Sequence, residues 1–321
     1  MLQRRSVLGL GLAAATGGMA RADTTAYPRH QVRIVAPFGA GGSSDLIARL
    51  LGRQLQAATG KPFAVENLPG GNGTVGVLAV MNAPADGHTL LLGTTTTLSA
   101  SPFLLKNPPF DPGRDFSVVC AFGQSAGCLM VPADSPHRTV GDLVAHIRAN
   151  PGRLNSGWFN GSSRIPAALF KRVGGLDFEE VSYKGFSTAI SDLRTGLIQF
   201  VFLDMVAADA QLRSGAFRAL AVTTPRRVAT LPDIPAMNEF FEGFETGGFW
   251  GFAVRAGTPL PLQRDINRLA TAAVQSPEVL GMLRDMVVEP MAMDLEQTAA
   301  YAERERAKWG GIIQRAGIEP E

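Results

Sequence analysis

The chain alternates short β-branched runs, loops of small polar residues and apolar positions at helical spacing. The first instance organises the rest and spans residues 32–49. Val32, Ile34 and Val35 suit a buried strand. The run Pro37-Phe38-Gly39-Ala40-Gly41-Gly42-Ser43-Ser44-Asp45 interrupts it, and Leu46, Ile47, Leu50, Leu51 and Leu55 then follow at helical spacing. This predicts strand, glycine loop, helix. Ser43, Ser44 or Asp45 supplies a cap, and the glycines let backbone approach a guest closely. A helix start with free N–H groups and a positive dipole end suits an anion. The loop is thus a candidate carboxylate or phosphate site, against the plainer reading of a tight turn that binds nothing.

The same alternation continues. A strand over 63–67 leads into a second glycine-rich turn, Leu68 to Gly76, and a helix over 74–81. A strand over 88–93 ends in the hydroxyl run Thr94-Thr95-Thr96-Thr97. Three strands followed by Gly-, Ser- or Thr-rich loops argue for an α/β unit with a parallel sheet. Ligands in such sheets sit beyond the carboxyl ends of the strands, where these loops gather.

Residues 103–116 are rich in Pro and Asp and read as a surface connection, and 118–132 as a strand passing into a second domain. A new α/β cycle follows. It has helices over 139–149, 167–173, 188–194 and 207–212, and strands over 154–159, 180–183, 198–203 and 217–222. Asn160-Gly161-Ser162-Ser163 is a fourth small polar loop, Lys184-Gly185 ends one strand and Asp204 ends another. Asp204 is read first as an N-cap and second as a ligand contact, and Lys184 as either a turn cap or a partner for an anion. Residues 225–245 suit a linker, and 249–254 a second strand returning to the first domain. Helices over 262–274, 277–286 and 295–316 close the chain, with Glu303 to Arg306 read as a solvated face.

Two α/β lobes joined by two crossing strands make a clamshell with its ligand in the cleft. The expected division is a signal peptide over 1–22, domain 1 over 23–123 plus 247–321, and domain 2 over 124–246.

Composition sharpens this. With 321 residues, 45% hydrophobic and 18% charged, the chain is long enough for two domains and a sizeable core. Arg4 and Arg5, an uncharged run from Ser6 to Ala20, and Ala20-Arg21-Ala22 have the form of a cleaved export signal. Arg4-Arg5 before Ser6-Val7-Leu8 also resembles a twin-arginine signal. That segment holds three of the 30 basic residues and none of the 28 acidic ones, so the remainder is near −1. Nothing in the charge favours nucleic acid. Cys120 and Cys128 are the two cysteines, too few for a disulfide scaffold or a four-cysteine zinc site. They read either as a pair across a hairpin or, the preferred reading, as two buried small apolar side chains.

Catalytic and cofactor patterns are missing. His30, His88, His137 and His146 form no HExxH pattern, and no Gly-x-Ser-x-Gly elbow occurs. Gly39-Ala40-Gly41-Gly42 matches neither a dinucleotide fingerprint nor a P-loop, and the loop contains no lysine. Backbone N–H and hydroxyl donors alone suit a carboxylate better than a phosphate. No metal or cofactor is expected.

These motifs together resemble the solute receptors of tripartite tricarboxylate transporters, the Bug family, over about residues 27–317. Pro37 through Arg49 resembles the family's glycine loop. Glu66-Asn67-Leu68-Pro69-Gly70-Gly71-Asn72-Gly73 resembles its Pro-Gly turn, and Ala85-Asp86-Gly87-His88-Thr89-Leu90 its Asp-Gly strand. Tyr183-Lys184-Gly185 with Asp192-Leu193 and Gly196, Arg218 to Thr223, Arg227, and Leu231-Pro232-Asp233-Ile234-Pro235 match in the second half.

The resemblance implies a periplasmic-binding-protein-like clamshell of type II that binds a small carboxylate and delivers it to transporter membrane subunits, as a monomer. It places ligand contacts at Phe38, Gly41, Gly42, Ser43, Asp45, Thr94, Gly161, Ser162, Ser163, Tyr183, Gly185 and Asp204, partly through water. Arg164-Ile165-Pro166-Ala167 and Ser182 depart from the family pattern, and Arg164 is an unexpected cation near the cleft. An exported enzyme and a carboxylate sensor feeding a receptor kinase are the competing readings. The first lacks a nucleophile–base pair, and the second is inseparable from transport in sequence.

Overall fold

The computed structural model describes residues 27–320, so the expected export signal lies outside the described residues. Along them the strands are β1 (Val32–Ala36), β2 (Phe63–Asn67), β3 (Thr89–Thr94), β4 (Phe116–Ser125), β5 (Gly127–Pro132), β6 (Asn155–Trp158), β7 (Glu179–Ser182), β8 (Phe200–Asp204), β9 (Phe217–Val222), β10 (Gly248–Arg255) and β11 (Val288–Pro290). They form two mixed sheets, ordered β11-β4-β10-β3-β1-β2 and β7-β6-β8-β5-β9. β1 pairs in parallel with β2 and β3, while β10 runs antiparallel between β3 and β4. In the second sheet β6 is parallel to β7 and β8, and β5 is antiparallel to β8 and β9.

Each sheet is buried on both faces, and its side chains alternate between two cores as the pleat requires. Val32, Ile34 and Ala36 of β1 pack with Leu50, Leu51 and Ile266, whereas Val35 packs with Val77, Val80 and Leu91 on the other face. In the second lobe Phe200 and Phe202 join Leu129 and Phe170, and Val201 and Leu203 join Cys128 and Met130. Covering each such side chain stabilises the fold by about 1.5–3 kcal/mol.

The chain passes from the first sheet to the second at Ala126, between β4 and β5. It returns along residues 223–247, irregular apart from a turn of 3-10 helix at Met237–Glu239, and β10 then lies wholly in the first sheet. Thr223 ties the two crossings together. Its N–H donates to Gly127 O at 2.8 Å, its hydroxyl accepts from Gly127 N–H at 3.0 Å, and its carbonyl accepts from Thr246 N–H at 3.0 Å. The C-terminal helix, Leu295–Ala316, begins beside the first lobe, yet Ala316 and Ile312 pack into the second lobe's core.

Several local expectations change. Residues 160–163 are not a free loop. The helix starts at Gly161 and runs Gly161–Gly174, because Asn160 and Ser163 close a capping box before Pro166. Residues 103–116 include two helical turns, Ser101–Leu104 and Pro112–Asp115, and bury Phe110. Within the supposed solvated run, Glu305 is buried, accepting from Trp309 Nε1 at 3.2 Å and pairing with Lys308 at 2.9 Å. β11 escapes a pattern search because it contributes one buried residue to the sheet edge. Cys120 and Cys128 are free thiols in separate cores, as the preferred reading has it, and burial pushes both up to about 12.

Candidate functional site

The glycine loop closes β1 onto the helix Ser43–Thr59. Its N-cap is Gly42, with no side chain capping the helix, so Ser43, Ser44 and Asp45 are not caps and their N–H groups keep the anion-binding character of a bare helix start. Gly41 sits at φ +80°, a conformation suited to glycine, and its N–H donates to Asp45 Oδ2 at 3.0 Å. Arg49 pairs with the other carboxylate oxygen at 2.9 Å, and Asn67 Nδ2 donates to Phe38 O at 3.1 Å. Burial alone would raise the Asp45 carboxyl, but Arg49, the Gly41 N–H and Asn67 together hold it below the ordinary range. Asp45 is therefore a staple inside the loop.

Across from this loop, Asp204 caps the helix Met205–Arg213 through Ala207 N–H at 3.0 Å. Its second oxygen, Oδ2, accepts the Ser43 hydroxyl at 3.0 Å, bridging the lobes. Burial pushes the Asp204 carboxyl up, against the opposing hydrogen bonds from Ala207 and Ser43. A second contact between lobes joins the Thr96 and Ser162 hydroxyls at 3.4 Å. These contacts border a small pocket of about 30 Å³, lined by Phe38, Ser43, Thr94, Ser162, Asp204 and Trp250 among others. That is room for about two water molecules. In front of them opens a cavity of about 780 Å³ between the glycine loops and Tyr183 to Thr188.

The predicted contacts divide into two groups. Phe38, Gly42, Ser43, Thr94, Ser162, Tyr183, Gly185 and Asp204 line one or both spaces. Asp45, Gly161 and Ser163 are buried behind the surface, and Gly41 is exposed but borders neither space. Ser163 is spent on Asn160, accepting from its N–H and donating to its side chain, and a Cβ on Gly161 would lie 3.1 Å from the Thr96 hydroxyl. Tyr183 presents its ring, since its hydroxyl donates to Asp192 at 2.8 Å; burial, then Asp192, pushes it up to about 12. Arg164 stacks its guanidinium 4.8 Å over the Trp158 ring.

Sequence reasoning missed Ser44, Thr96, Asn160, Trp158, Phe159 and Phe186 as lining residues. Trp158 and Phe159 directly precede the Asn160 loop, a signal that was available. A separate cavity of about 830 Å³ lies against the crossings, around Gln124, Arg226, Arg284 and Glu289, and contains none of the glycine-loop residues.

His30, Asp86 and His88 bring potential metal-ligand atoms within 4.8 Å of one another. His88 Nε2 accepts from Arg29 N–H at 3.2 Å and Nδ1 contacts Asp86 O at 2.9 Å, so both ring nitrogens are already engaged.

The family model described as "Tripartite tricarboxylate transporter family receptor" matches residues 47–318. A relative from Pseudomonas sp. (strain P51), "UPF0065 protein in tcbD-tcbE intergenic region", is 30% identical, with 97% of this chain and 94% of that protein covered. BugT of Bordetella pertussis is 28% identical over 97% of both chains. Among solved structures, R. palustris Rpa4515 with adipate is 29% identical at a TM-score of 0.88, covering 92% of this chain and all of that one. The periplasmic binding protein BugD is 27% identical at 0.86, with the same coverage. MatC of Rhodopseudomonas palustris with bound malate is 25% identical at 0.82, covering 89% of this chain and all of that one. The two-lobed α/β architecture is that of these binding proteins, and the chain belongs to the tripartite tricarboxylate transporter receptor family.

Proposed function

We propose that this protein is a periplasmic receptor, exported by a cleaved N-terminal signal, that captures a small organic carboxylate between its lobes and delivers it to the membrane subunits of a tripartite transporter. The observation that carries this reading is the uncapped start of the Ser43–Thr59 helix, where Ser43 lines one pocket with Ser162 and Asp204 of the second lobe and also borders the larger cavity. The helix N–H groups supply donors to one carboxylate oxygen, the Ser43 hydroxyl turns its single proton from Asp204 to the guest on binding, and Ser162 and ordered water supply the other jaw. Hydrogen bonds to a charged group are worth about 1.5–3 kcal/mol each. Relatives holding adipate and malate support the ligand class. Catalysis has no part in this reading, in which the guest leaves as it entered.

The test is a thermal-shift screen of small carboxylates. A ligand that binds only the folded form raises the melting temperature by mass action, by an amount set by its concentration over its Kd. A carboxylate shifting the melt in a dose-dependent way supports the reading, and a flat response across mono-, di- and tricarboxylates refutes it. Loss of uptake of that acid on gene deletion tests delivery.

A further inference from the structure

The large cavity in front of the interlobe contacts is lined by an unusual set of side chains. Phe38 comes from the first lobe, and Trp158, Phe159, Tyr183 and Phe186 from the second. All five rings are half-buried, so each keeps one surface uncovered toward the same space. Their orientations are held from behind. Arg164 stacks on Trp158 at 4.8 Å, Phe159 meets Phe186 edge-to-face at 5.9 Å, and the Tyr183 hydroxyl is tied to Asp192. Charge in the cavity is sparse. Among its described lining residues Lys184 is the one basic side chain and Asp204 the one acid. A guest with several carboxylates finds few cations there, whereas a planar apolar body finds aromatic side chains from both lobes.

We propose that the cleft takes an aromatic monocarboxylate, its carboxylate at the Ser43 helix start and its ring among Phe38, Trp158, Phe159 and Phe186. This rests on the carboxylate reading above and narrows it. A volume of about 780 Å³ accommodates a ring with substituents. The aromatic wall adds affinity through area and ring geometry, not through charge.

The test is calorimetry with benzoate, 4-hydroxybenzoate, phenylacetate and cinnamate, set against hexanoate and adipate. The expected result is at least one aromatic acid binding ten-fold or more tighter than both aliphatic acids. Trp158→Leu should then weaken that acid at least five-fold and by clearly more than it weakens the better aliphatic one, with circular dichroism confirming the fold. Phe186→Leu serves as an independent second variant. Binding of adipate or hexanoate as tight as any aromatic acid overturns the proposal and leaves the carboxylate reading standing. Equal losses for both classes in the variants also overturn it. Silence from every acid overturns both.

Discussion

Ser43, at the first turn of a first-lobe helix, donates its hydroxyl to Asp204 of the second lobe at 3.0 Å. The same carboxylate caps the helix Met205–Arg213, so one side chain both ends β8 and closes the lobes. Replacing it separates those roles. Asp204→Ala removes the cap and should cost about 1 kcal/mol of stability or more, whereas Asp204→Asn keeps the acceptor for Ala207 and sets an amide N–H donor where Ser43 bonds. Burial raises the folded carboxyl above its unfolded value of about 3.8. The stability it contributes is therefore fully present below pH 3.8 and is lost as pH rises through the folded value. Urea melts at pH 4 and pH 7 should show the wild type gaining on Asp204→Asn at the lower pH. A constant difference contradicts the assignment.

Asp45 has the opposite sign. Its folded carboxyl lies below the ordinary value of 3.8, so its stabilisation is present above that pH and disappears as pH falls through the folded value. Asp45→Asn keeps an acceptor for Gly41 and loses the Arg49 ion pair, and is expected to cost about 1 kcal/mol at pH 7. Chemical denaturation at pH 7 and pH 3 checks this, since the gap between variant and wild type should narrow in acid.

Gly76 sets the distance between the helix Thr74–Met81 and the glycine loop. A Cβ there would lie 2.8 Å from Pro37 Cα and 3.2 Å from Leu68 O, both backbone contacts that cannot swing aside. Gly76→Ala should destabilise by about 1–3 kcal/mol and displace Phe38 with the loop. A melting temperature unchanged from wild type would show that the loop has slack.

Cys120 and Cys128 occupy different cores on strands of different sheets. Native protein should resist alkylation at both, and unfolding in denaturant without reductant should release two titratable thiols. Fewer than two would indicate a disulfide and contradict the placement.

Much of the scaffold was legible because local chemistry and tertiary structure agree. The helix expected over 139–149 forms as Val140–Ala149, with Thr139 and Asp142 closing a capping box at its start, and Val32, Ile34 and Val35 divide between two cores as a strand buried on both faces requires. The lining of the spaces between the lobes was legible where it comes from loops after strands, as at Ser43 and Ser162. The failures have physical causes. Asp45 and Ser163 look like ligand contacts because their types are right, but their oxygens are consumed by Arg49, Gly41 and Asn160. The Ser43–Asp204 bond joins positions 161 residues apart and is invisible to any local pattern. Trp158, Phe159 and Phe186 were overlooked because aromatic rings at the ends of strands and helices read as core until the cavity beside them is seen.

The most direct test of the carboxylate clamp is calorimetric titration of the best acid from the screen against wild type and the Ser43→Ala, Ser162→Ala double variant. With both jaws losing a hydroxyl, affinity should fall by about 1–3 kcal/mol, or roughly 5- to 150-fold in Kd, with the fold intact. Unchanged affinity in the double variant would contradict the clamp.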